Sequence, residues 1–489
     1  MTIQPFIRGV NIGGWLLLER FINPYFFAIT DCHLRGDFIF FPGQIDAPAY
    51  ASITHTNPKN CTPIQPYPID EWTLLSHFTN KSIAKAYMDI HYDHFLTRRD
   101  VKLMKEAGVT HIRVPLPHWI MEDPKKWNHY FKNSTTNTTT VQVMEPWVDG
   151  GWTYFVRFVE WVREEGDMVV WPDIHTAPGS QNGFDNSGKA ALDGVPTCHG
   201  WDGTTHPLQS IDGEYDEDYS QVTLSKNVLR SLQAVQEVTA AIASHKLTDV
   251  VTGFGILNEP FKDCDPKVVK KFNHLATDMV RANMGADTAV YIGDMFNSSE
   301  WNNGYWTSTY VAPTISTTTN TILQTNFNSN NNASSLVNPS MTSYANTFLD
   351  SHYYHVFDER PRHLSPKQHI GLVCRHNHHD TVACCYEDQK NKTIPSLGIS
   401  RIIGEWSVSF DTLVCDKLDD VMESIASTGV AAEFHRQIEP ARKAFLADFA
   451  KAQMVVYEAV ETGVSRGWFY WTLKMEYVSF IFIYFYTLR

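Results

Sequence analysis

The sequence predicts an α/β protein, a single-domain (β/α)8 TIM barrel with long loop insertions. Two observations lead to this prediction: strand-like segments recur eight times along the 489 residues, and helical patterns lie between them. Most of the strand segments are nearly continuous apolar runs, as expected of parallel strands that are covered on both faces. The alternative is a doubly wound open sheet, but no glycine-rich phosphate-binding loop follows the first strand.

The predicted elements follow one another at intervals typical of a barrel. The strands comprise residues 7–13, 110–115, 168–175, 250–259, 289–293, 348–356, 401–406 and 467–474. Helices are predicted over residues 97–107, 152–165, 224–244, 266–284 and 430–461. The first of these begins at Thr97 with Asp100 three residues later, a spacing that resembles a capping box.

The chain is longer than the roughly 250 residues of a plain barrel, and the excess lies in loops. We predict one barrel domain over residues 1–476, with inserts at about 23–70 and 299–347. The first insert is rich in proline and aromatic residues, and most of the second is a Ser/Thr/Asn tract typical of a surface loop or a disordered insert. Residues 477–489 form an atypical apolar tail, too short for the roughly 20 residues of a membrane-spanning helix. A buried strand, a short anchor and a wrongly read gene sequence are open explanations of this tail.

The composition limits the classes of partner. Lys and Arg number 40 against 54 Asp and Glu, so the net charge is −14, without a basic run. This balance argues against a nucleic-acid or anionic-membrane partner. The 14 Trp and 21 Tyr residues exceed what a core requires. Surplus aromatic rings suit a sugar-binding cleft, where they stack on pyranoses, although core filling explains any single one of them.

Cysteines and glycosylation sequons favour an oxidising compartment. The even number of cysteines without a CxxC motif predicts disulfides, and eight free buried thiols are the alternative. The cysteines are Cys32, Cys61, Cys198, Cys264, Cys374, Cys384, Cys385 and Cys415. The Asn-x-Ser/Thr sequons begin at Asn60, Asn80, Asn133, Asn137, Asn297, Asn332 and Asn391. Both features predict an extracellular or cell-wall protein. Because residues 1–5 lack the features of a signal peptide, we expect this chain to have a truncated or matured start.

Two short motifs each place a glutamate at the C-terminal tip of a predicted strand. They are Asn258-Glu259-Pro260 and Gly404-Glu405-Trp406. Cleavage of a glycosidic bond needs two such carboxyl groups on rigid supports, because one protonates the leaving oxygen while the other acts at the anomeric carbon. A single glutamate in this position often only caps a helix or binds an arginine, so the neighbouring residues decide the interpretation.

Other polar and aromatic residues are predicted at the same end of the barrel, where the loops of this fold converge and active sites form. They are Asn11, Glu19, Arg113, His175, Asn258, His352, Tyr354 and Trp471. Taken singly, Arg113 could pair with a core acid, and His175 or Trp471 could belong to the core. Together with the two glutamates they predict a polar, aromatic site.

Seven segments, in order along almost the whole chain, carry a resemblance to a known family. They are RGVNIGGWLLLE (8–19), HYDHFLTRRDVKLMKEAGVTHIRVP (91–115), DIHTAPGSQNGFDNSG (173–188), GILNEP (255–260), HYYHVF (352–357), GEWS (404–407) and GWFYWTLK (467–474). In these segments the chain resembles glycoside hydrolase family 5, particularly its exo-β-1,3-glucanase branch. The segment at 173–188 is highly specific to that branch, whereas Asn-Glu-Pro alone is less so.

The resemblance implies a role for each residue of the site. Glu259 is expected to be the general acid/base and Glu405 the nucleophile, with retention at the anomeric carbon and carboxyl groups about 5–5.5 Å apart. Arg113 and Tyr354 are expected beside Glu405. Asn258 is expected to bind the 2-hydroxyl of the sugar, and His352 is expected to flank Glu259, whose pKa must stay high enough to hold a proton. Glu19 and His175 are expected to contact hydroxyls of the sugar in the −1 position, and Trp471 is expected to lie beneath that sugar.

The resemblance also implies a function: hydrolysis of β-1,3-glucan of the laminarin type, exo-acting and releasing glucose, by a monomer without metal or cofactor. A β-1,4- or β-1,6-glucanase, a β-glucosidase and a non-catalytic carbohydrate-binding protein are the alternatives. Cys374 and Cys415 align with a disulfide of the family. The Cys/His stretch 374–385 contains metal-ligand residue types, but its spacing fits no standard zinc pattern. After Glu476 the chain departs from the family, which leaves the wall formed by Trp471 open to question.

Overall fold

Eight parallel strands close into a barrel in the computed structural model of the protein, and the predicted fold class is confirmed. The structure describes residues 6–37, 61–121, 129–132, 139–143, 145–191, 193–203, 222–297, 311–314, 338–341, 346–357, 364–373, 400–410, 440–458 and 465–476. The barrel strands are β1 (Ile7–Asn11), β2 (His111–Leu116), β3 (Val169–Ile174), β4 (Gly253–Gly255), β5 (Ala289–Gly293), β6 (Thr347–Tyr353), β7 (Ser400–Trp406) and β8 (Ser465–Tyr470). Each strand pairs with its neighbours in sequence, and β1 closes the ring on β8.

Helices connect the strands and cover the outside of the barrel. The described helices are α1 (Pro24–Phe27), α2 (Asp31–Arg35), α3 (Glu71–Ser76), α4 (Lys81–Phe95), α5 (Arg98–Glu106), α6 (Gly151–Glu165), α7 (His199–Asp202), α8 (Lys226–Ser244), α9 (Pro266–Met284), α10 (Pro366–Leu372) and α11 (Pro440–Glu458). Helix α5 begins as predicted: the backbone N–H of Thr97 donates to Asp100 at 2.7 Å in a capping box. Helix α9 has the predicted bounds, with Pro266 in its first turn and Asp265 as N-cap.

Several predicted elements differ from the structure. The strand predicted over residues 250–259 is limited to Gly253–Gly255, because the chain leaves the ladder before Glu259, whose φ is +43°. Helix α4 was not predicted, although its buried residues recur at helical spacing from Ala84 to Phe95. The predicted first insert contains α1 and α2, which are too short to show a period.

Two short antiparallel ladders are a further difference. Residues 311–314 pair with 338–341 inside the tract predicted as a loop or disordered insert, and residues 129–132 pair with 139–143. Residues 430–439 of a predicted helix and the tail 477–489 lie outside the described residues. No helix in the part of the chain that the structure describes is long and apolar enough to cross a membrane.

Two disulfides are present, as the cysteine pattern suggested. Cys32 bonds to Cys61 at the first insert, and Cys198 bonds to Cys264, joining the loop after β3 to the loop after β4. The expected pair Cys374 and Cys415 lies outside the described residues, as does the Cys/His stretch between residues 374 and 385.

An aromatic layer fills the barrel interior near the N-terminal ends of the strands. The members of this layer are Ile7, Trp171, Ala289, Tyr291, Phe348, Ile402 and Phe469, all buried. Two glycines make room for the largest rings: a Cβ on Gly9 would lie 2.2 Å from the ring of Phe469, and one on Gly253 would lie 2.5 Å from Trp171. The C-terminal half of the interior is therefore left to other side chains, and these are polar.

Candidate active site

The two glutamates face each other across the C-terminal end of the barrel. Glu405 lies near the end of β7, and Glu259 follows β4. His352 on β6 stands between them: its Nδ1 is 2.7 Å from Oε1 of Glu259 and 3.5 Å from Oε2 of Glu405. One oxygen of each carboxyl and a ring nitrogen of His352 all lie within 4.8 Å of one another. The chain therefore brings together two carboxyl groups that are 146 positions apart in sequence.

Arg113 on β2 lies beneath this pair and is fully buried. Its Nη1 donates to Oε1 of Glu405 at 2.8 Å and to the side chain of Asn11 at 2.9 Å, and its Nη2 donates to Asn258 at 2.7 Å. Burial opposes the charge, but Asp173 and Glu405 outweigh it and raise the pKa of Arg113 well above its usual range. The guanidinium is thus a permanent cation that holds Glu405 and Asn258 in place.

Glu405 receives a second donor from Tyr354. The phenol O–H donates to Oε2 at 2.7 Å, opposite the oxygen that Arg113 contacts. Burial and then the charge of Glu405 raise the pKa of Tyr354 well above its usual range, so it remains a neutral donor. Charge-assisted hydrogen bonds of this kind are the strong ones in proteins. Both carboxylate oxygens are therefore oriented by fixed donors.

Glu259 is held through both its backbone and its side chain. Its φ of +43° lies in the left-handed region, which costs a non-glycine residue free energy. Asn182 donates to its carbonyl oxygen at 3.2 Å, and Asn186 donates to Oε2 at 2.8 Å. The loop after β3, which carries both asparagines, therefore fixes the position of this carboxyl.

The pKa values of His352 and Glu259 shift in directions that favour a proton on His352. Burial raises the pKa of Glu259, but the hydrogen bond and charge of His352 outweigh it, so the net pKa of Glu259 is lowered. Burial opposes the charge on His352, whereas Glu405 and Asp350 raise its pKa well above the usual range. The expectation that the pKa of Glu259 stays high is therefore not met, because His352 lies beside it and lowers this pKa.

Asn258, His175 and Trp471 form the adjoining wall. The amide group of Asn258 lies 3.3 Å from Nε2 of His175, whose Nδ1 is 2.9 Å from Asp173. The rings of His175 and Trp471 stack with centroids 5.7 Å apart, and Trp471 follows β8 directly. Trp471 is 8% exposed. In the structure this wall is formed despite the departure from the family after Glu476.

Glu19 reaches the site from the loop after β1. It is buried, and burial followed by the charges of Asp185, Glu405 and Glu259 raises its pKa well above the usual range. Its backbone N–H donates to Asn23 at 3.0 Å, and the preceding residue donates to the carboxyl of Glu71 at 2.9 Å. All ten residues predicted for the site, Asn11 among them, therefore lie in one region of the structure.

Residues that the sequence did not single out complete the site. Asp350 lies two positions before His352 on β6, with Oδ2 3.4 Å from Nε2 of that ring. A Cβ on Gly404 would lie 2.0 Å from Asp350, so this carboxyl requires the glycine. Asp173 and Asn186 both belong to the segment 173–188 that matched the family, which was the available signal. For Asp350 the signal was its period-2 position relative to His352.

Comparisons with known proteins report on the family and the fold of this chain. A profile described as "Cellulase (glycosyl hydrolase family 5)" matches residues 77–434. A "Glucan 1,3-beta-glucosidase" of Candida oleophila is 24% identical, covering 96% of this chain and 84% of that protein. A "Probable glucan 1,3-beta-glucosidase A" of Aspergillus fumigatus is 25% identical, covering 96% and 83%. A rutinosidase structure from Aspergillus niger, at 14% identity and a TM-score of 0.50, covers 96% of this chain and 90% of that one and shares its fold.

Proposed function

The chain belongs to glycosyl hydrolase family 5 and is an O-glycosyl hydrolase, and we propose that it cleaves β-1,3-linked glucan with retention at the anomeric carbon. The names of its relatives in Candida oleophila and Aspergillus fumigatus support this substrate class. The match to the family 5 model confirms the predicted resemblance. The linkage and the stereochemistry are proposals.

One observation supports retention more than any other: an oxygen of Glu259 and an oxygen of Glu405 lie within 4.8 Å of each other. Retaining glycosidases separate their carboxyl groups by about 5–5.5 Å, whereas inverting ones leave about 6.5–9.5 Å for a water molecule. The observed approach is closer to the separation in retaining enzymes than to that in inverting ones. It fits direct attack by one carboxylate on the sugar held between the two.

In the first step, Glu405 attacks the anomeric carbon while the bond to the leaving oxygen breaks. Glu259 gives that oxygen a proton, and a glucosyl ester forms on Glu405. The charge on Glu405 is the largest factor that raises the pKa of His352. Because the ester is neutral, His352 becomes a stronger acid as it forms and passes its proton to Glu259 along their 2.7 Å hydrogen bond.

In the second step, water attacks the anomeric carbon and the ester bond to Glu405 breaks. Glu259 accepts the proton of that water and relays it to His352. The returning charge of Glu405 raises the pKa of His352 again, and the starting state is restored. The His352–Glu259 pair thus supplies an acid in one step and a base in the next.

The sugar in the −1 position is bound by the residues around the two glutamates. Asn258, held by Arg113, faces its 2-hydroxyl, and Glu19 and His175 contact other hydroxyls. Trp471, stacked against His175, forms the apolar surface under the ring. We further propose exo-action with release of glucose by a monomer in an extracellular or cell-wall setting; two disulfides support the oxidising compartment.

Product analysis on laminarin by NMR tests the proposal. We expect β-glucose as the first-formed product, appearing before the mutarotated α-anomer, and much slower turnover of cellulose oligomers and of pustulan. First appearance of the α-anomer would overturn retention. Equal rates on a β-1,4 or β-1,6 polymer would overturn the linkage, and oligosaccharide products would overturn exo-action. Binding of laminarin without any hydrolysis would show a carbohydrate-binding protein.

A further inference from the structure

Three atoms at the centre of the site have the geometry of a metal-binding face. We propose that Oε1 of Glu259, Nδ1 of His352 and Oε2 of Glu405 also bind one divalent transition-metal ion, represented by Zn²⁺, and that this ion inhibits the enzyme. The proposal rests on the positions of these side chains and not on the sugar that the enzyme cleaves. It assigns a regulatory ligand to residues whose other role is hydrolysis.

The separations fit a single ion. Nδ1 of His352 lies 2.7 Å from the Glu259 oxygen and 3.5 Å from the Glu405 oxygen, and the group spans at most 4.8 Å. Zinc bonds of about 2.0–2.2 Å in tetrahedral geometry put ligand atoms about 3.3–3.6 Å apart. The two nitrogen–oxygen separations lie within about 0.6 Å of that range, and the 4.8 Å limit for the group exceeds it by about 1.2 Å, so binding requires rotation of the carboxyl groups.

Each ligand is already oriented by an outer partner. The other oxygen of Glu259 accepts from Asn186 at 2.8 Å, and the other oxygen of Glu405 accepts from Arg113 at 2.8 Å. The second ring nitrogen of His352 lies 3.4 Å from Asp350. A carboxylate behind a ligating histidine is the usual outer shell of a zinc site, because it fixes the ring and makes its nitrogen more basic. Oε2 of Glu405 also accepts from Tyr354 at 2.7 Å, so the ion shares this oxygen with the phenol.

The residue types select the class of ion. One imidazole and two carboxylates suit Zn²⁺ and similar borderline ions, whereas Ca²⁺ and Mg²⁺ prefer oxygen ligands alone. The carboxyl oxygens of Glu259 and Glu405 lie within 4.8 Å of each other, with Asp350 on the far side of His352, and this negative charge favours a cation. The ion takes the place of the proton on Nδ1 of His352, and that proton leaves to the solvent.

An ion in this position stops both proposed steps. It occupies the oxygen with which Glu405 attacks, and it removes the proton that His352 passes to Glu259. It also fills the space between the carboxyl groups where the sugar ring must lie. Inhibition by Zn²⁺ should therefore be competitive with a ligand of the sugar site.

Titration calorimetry of the full chain with ZnCl2 tests the proposal without requiring turnover. We expect one ion that the iminosugar deoxynojirimycin displaces, because its protonated nitrogen occupies the same space. Glu405→Gln and His352→Ala should each weaken this displaceable binding at least tenfold, and MgCl2 at the same concentration should not compete. His199→Ala, at a half-buried histidine beside Asp202 and Asp263, is the matched control and should leave the binding unchanged.

The contrary outcomes are equally definite. Zinc binding that persists in both variants, or that the iminosugar does not displace, places the ion elsewhere on the chain and overturns the proposal. Absence of binding at millimolar ZnCl2 does the same. For Glu259→Gln, a thermal unfolding temperature and an iminosugar affinity like those of wild type would show that a loss of zinc binding comes from the missing ligand and not from unfolding. A protein that binds zinc here but hydrolyses no β-1,3-glucan would contradict the proposed function alone.

Discussion

The two ends of the barrel interior are built from the same strands but have opposite chemistry. Near the N-terminal ends, Trp171, Phe348 and Phe469 pack as an apolar layer. At the C-terminal ends, Arg113 and Glu405 are just as deeply buried but charged. The same strand can supply residues to both ends at a spacing of two residues. On β3, Trp171 precedes Asp173, and on β6, Phe348 precedes Asp350 and then His352. Because side chains two apart in a strand share a face, packing and chemistry are separated only by position along the barrel axis.

The difference shows where stability and activity reside. Apolar burial at one end stabilises the fold in proportion to the area removed from water. Buried charges at the other end cost desolvation free energy that their partners only partly restore. Substitutions at the two ends should therefore have different signatures, and the following predictions, in order of expected size, test that separation.

The largest effect is expected at Glu405. Glu405→Gln removes the attacking carboxylate while keeping the shape, so kcat on laminarin should fall by roughly 10⁴-fold or more. Trp171→Phe is the matched change in the apolar layer and should leave kcat within a few-fold of wild type. Steady-state kinetics on both variants provides the measurement. A comparable loss in Trp171→Phe would show that the two ends are not functionally separate.

Arg113→Met tests the same separation through its effect on the free energy of unfolding. It leaves Asp173, Asp350 and Glu405 buried without their cation and should cost about 3–5 kcal/mol of unfolding free energy. Phe469→Ala should cost a similar amount, about 3–5 kcal/mol, through a cavity. Urea unfolding measures both changes. The folded fraction of Phe469→Ala should retain its specific activity, whereas that of Arg113→Met should not. An Arg113→Met protein more stable than wild type would contradict the assigned role of the charge network.

Asn186→Ala tests the support of Glu259. A hydrogen bond to a charged group contributes about 1.5–3 kcal/mol, so its loss corresponds to roughly a 10- to 150-fold lower kcat/KM. The loss should be large on laminarin and small on a dinitrophenyl β-glucoside, whose leaving group needs no protonation. Asn227→Ala serves as control, because it also removes a side-chain hydrogen bond, from a half-buried helix asparagine to the carbonyl of Gly200 at 2.7 Å, away from the two glutamates. Equal losses on both substrates would indicate a general structural effect.

The smallest effect concerns two buried carboxyls behind the site. Burial raises the pKa of Glu71 and of Glu476 to about 8 from an ordinary 4.5. The folded state therefore holds these protons more tightly than the unfolded state, and each group's contribution to stability is complete below pH 4.5 and is lost as the pH rises to about 8. Glu476→Gln should flatten the fall of Tm over that interval. Parallel curves for the variant and wild type would refute the assignment.

Much of this arrangement could be predicted from the sequence because parallel barrels gather their strand ends on one face. Arg113, His175 and Glu405 needed only that rule and their strand assignments. The conformation of Glu259 could not be predicted, since its positive φ depends on contacts from the loop after β3. The partners of Cys32 and Cys198 were equally unreadable, because disulfide pairing is a property of the folded chain. Asp350 was missed because its period-2 spacing from His352 shows only that the two share a strand face, and not that the carboxyl is buried against the ring.

The most direct test of the central claim, that Glu405 attacks the sugar which it and Glu259 flank, is covalent trapping. A 2-deoxy-2-fluoro-β-glucoside with a good leaving group forms the glucosyl ester quickly and hydrolyses it slowly in a retaining enzyme. Mass spectrometry of the digested protein should find one added fluoroglucosyl group, on the peptide that contains Glu405. An adduct on another residue, or steady turnover of this substrate with inversion and no adduct, would contradict the account.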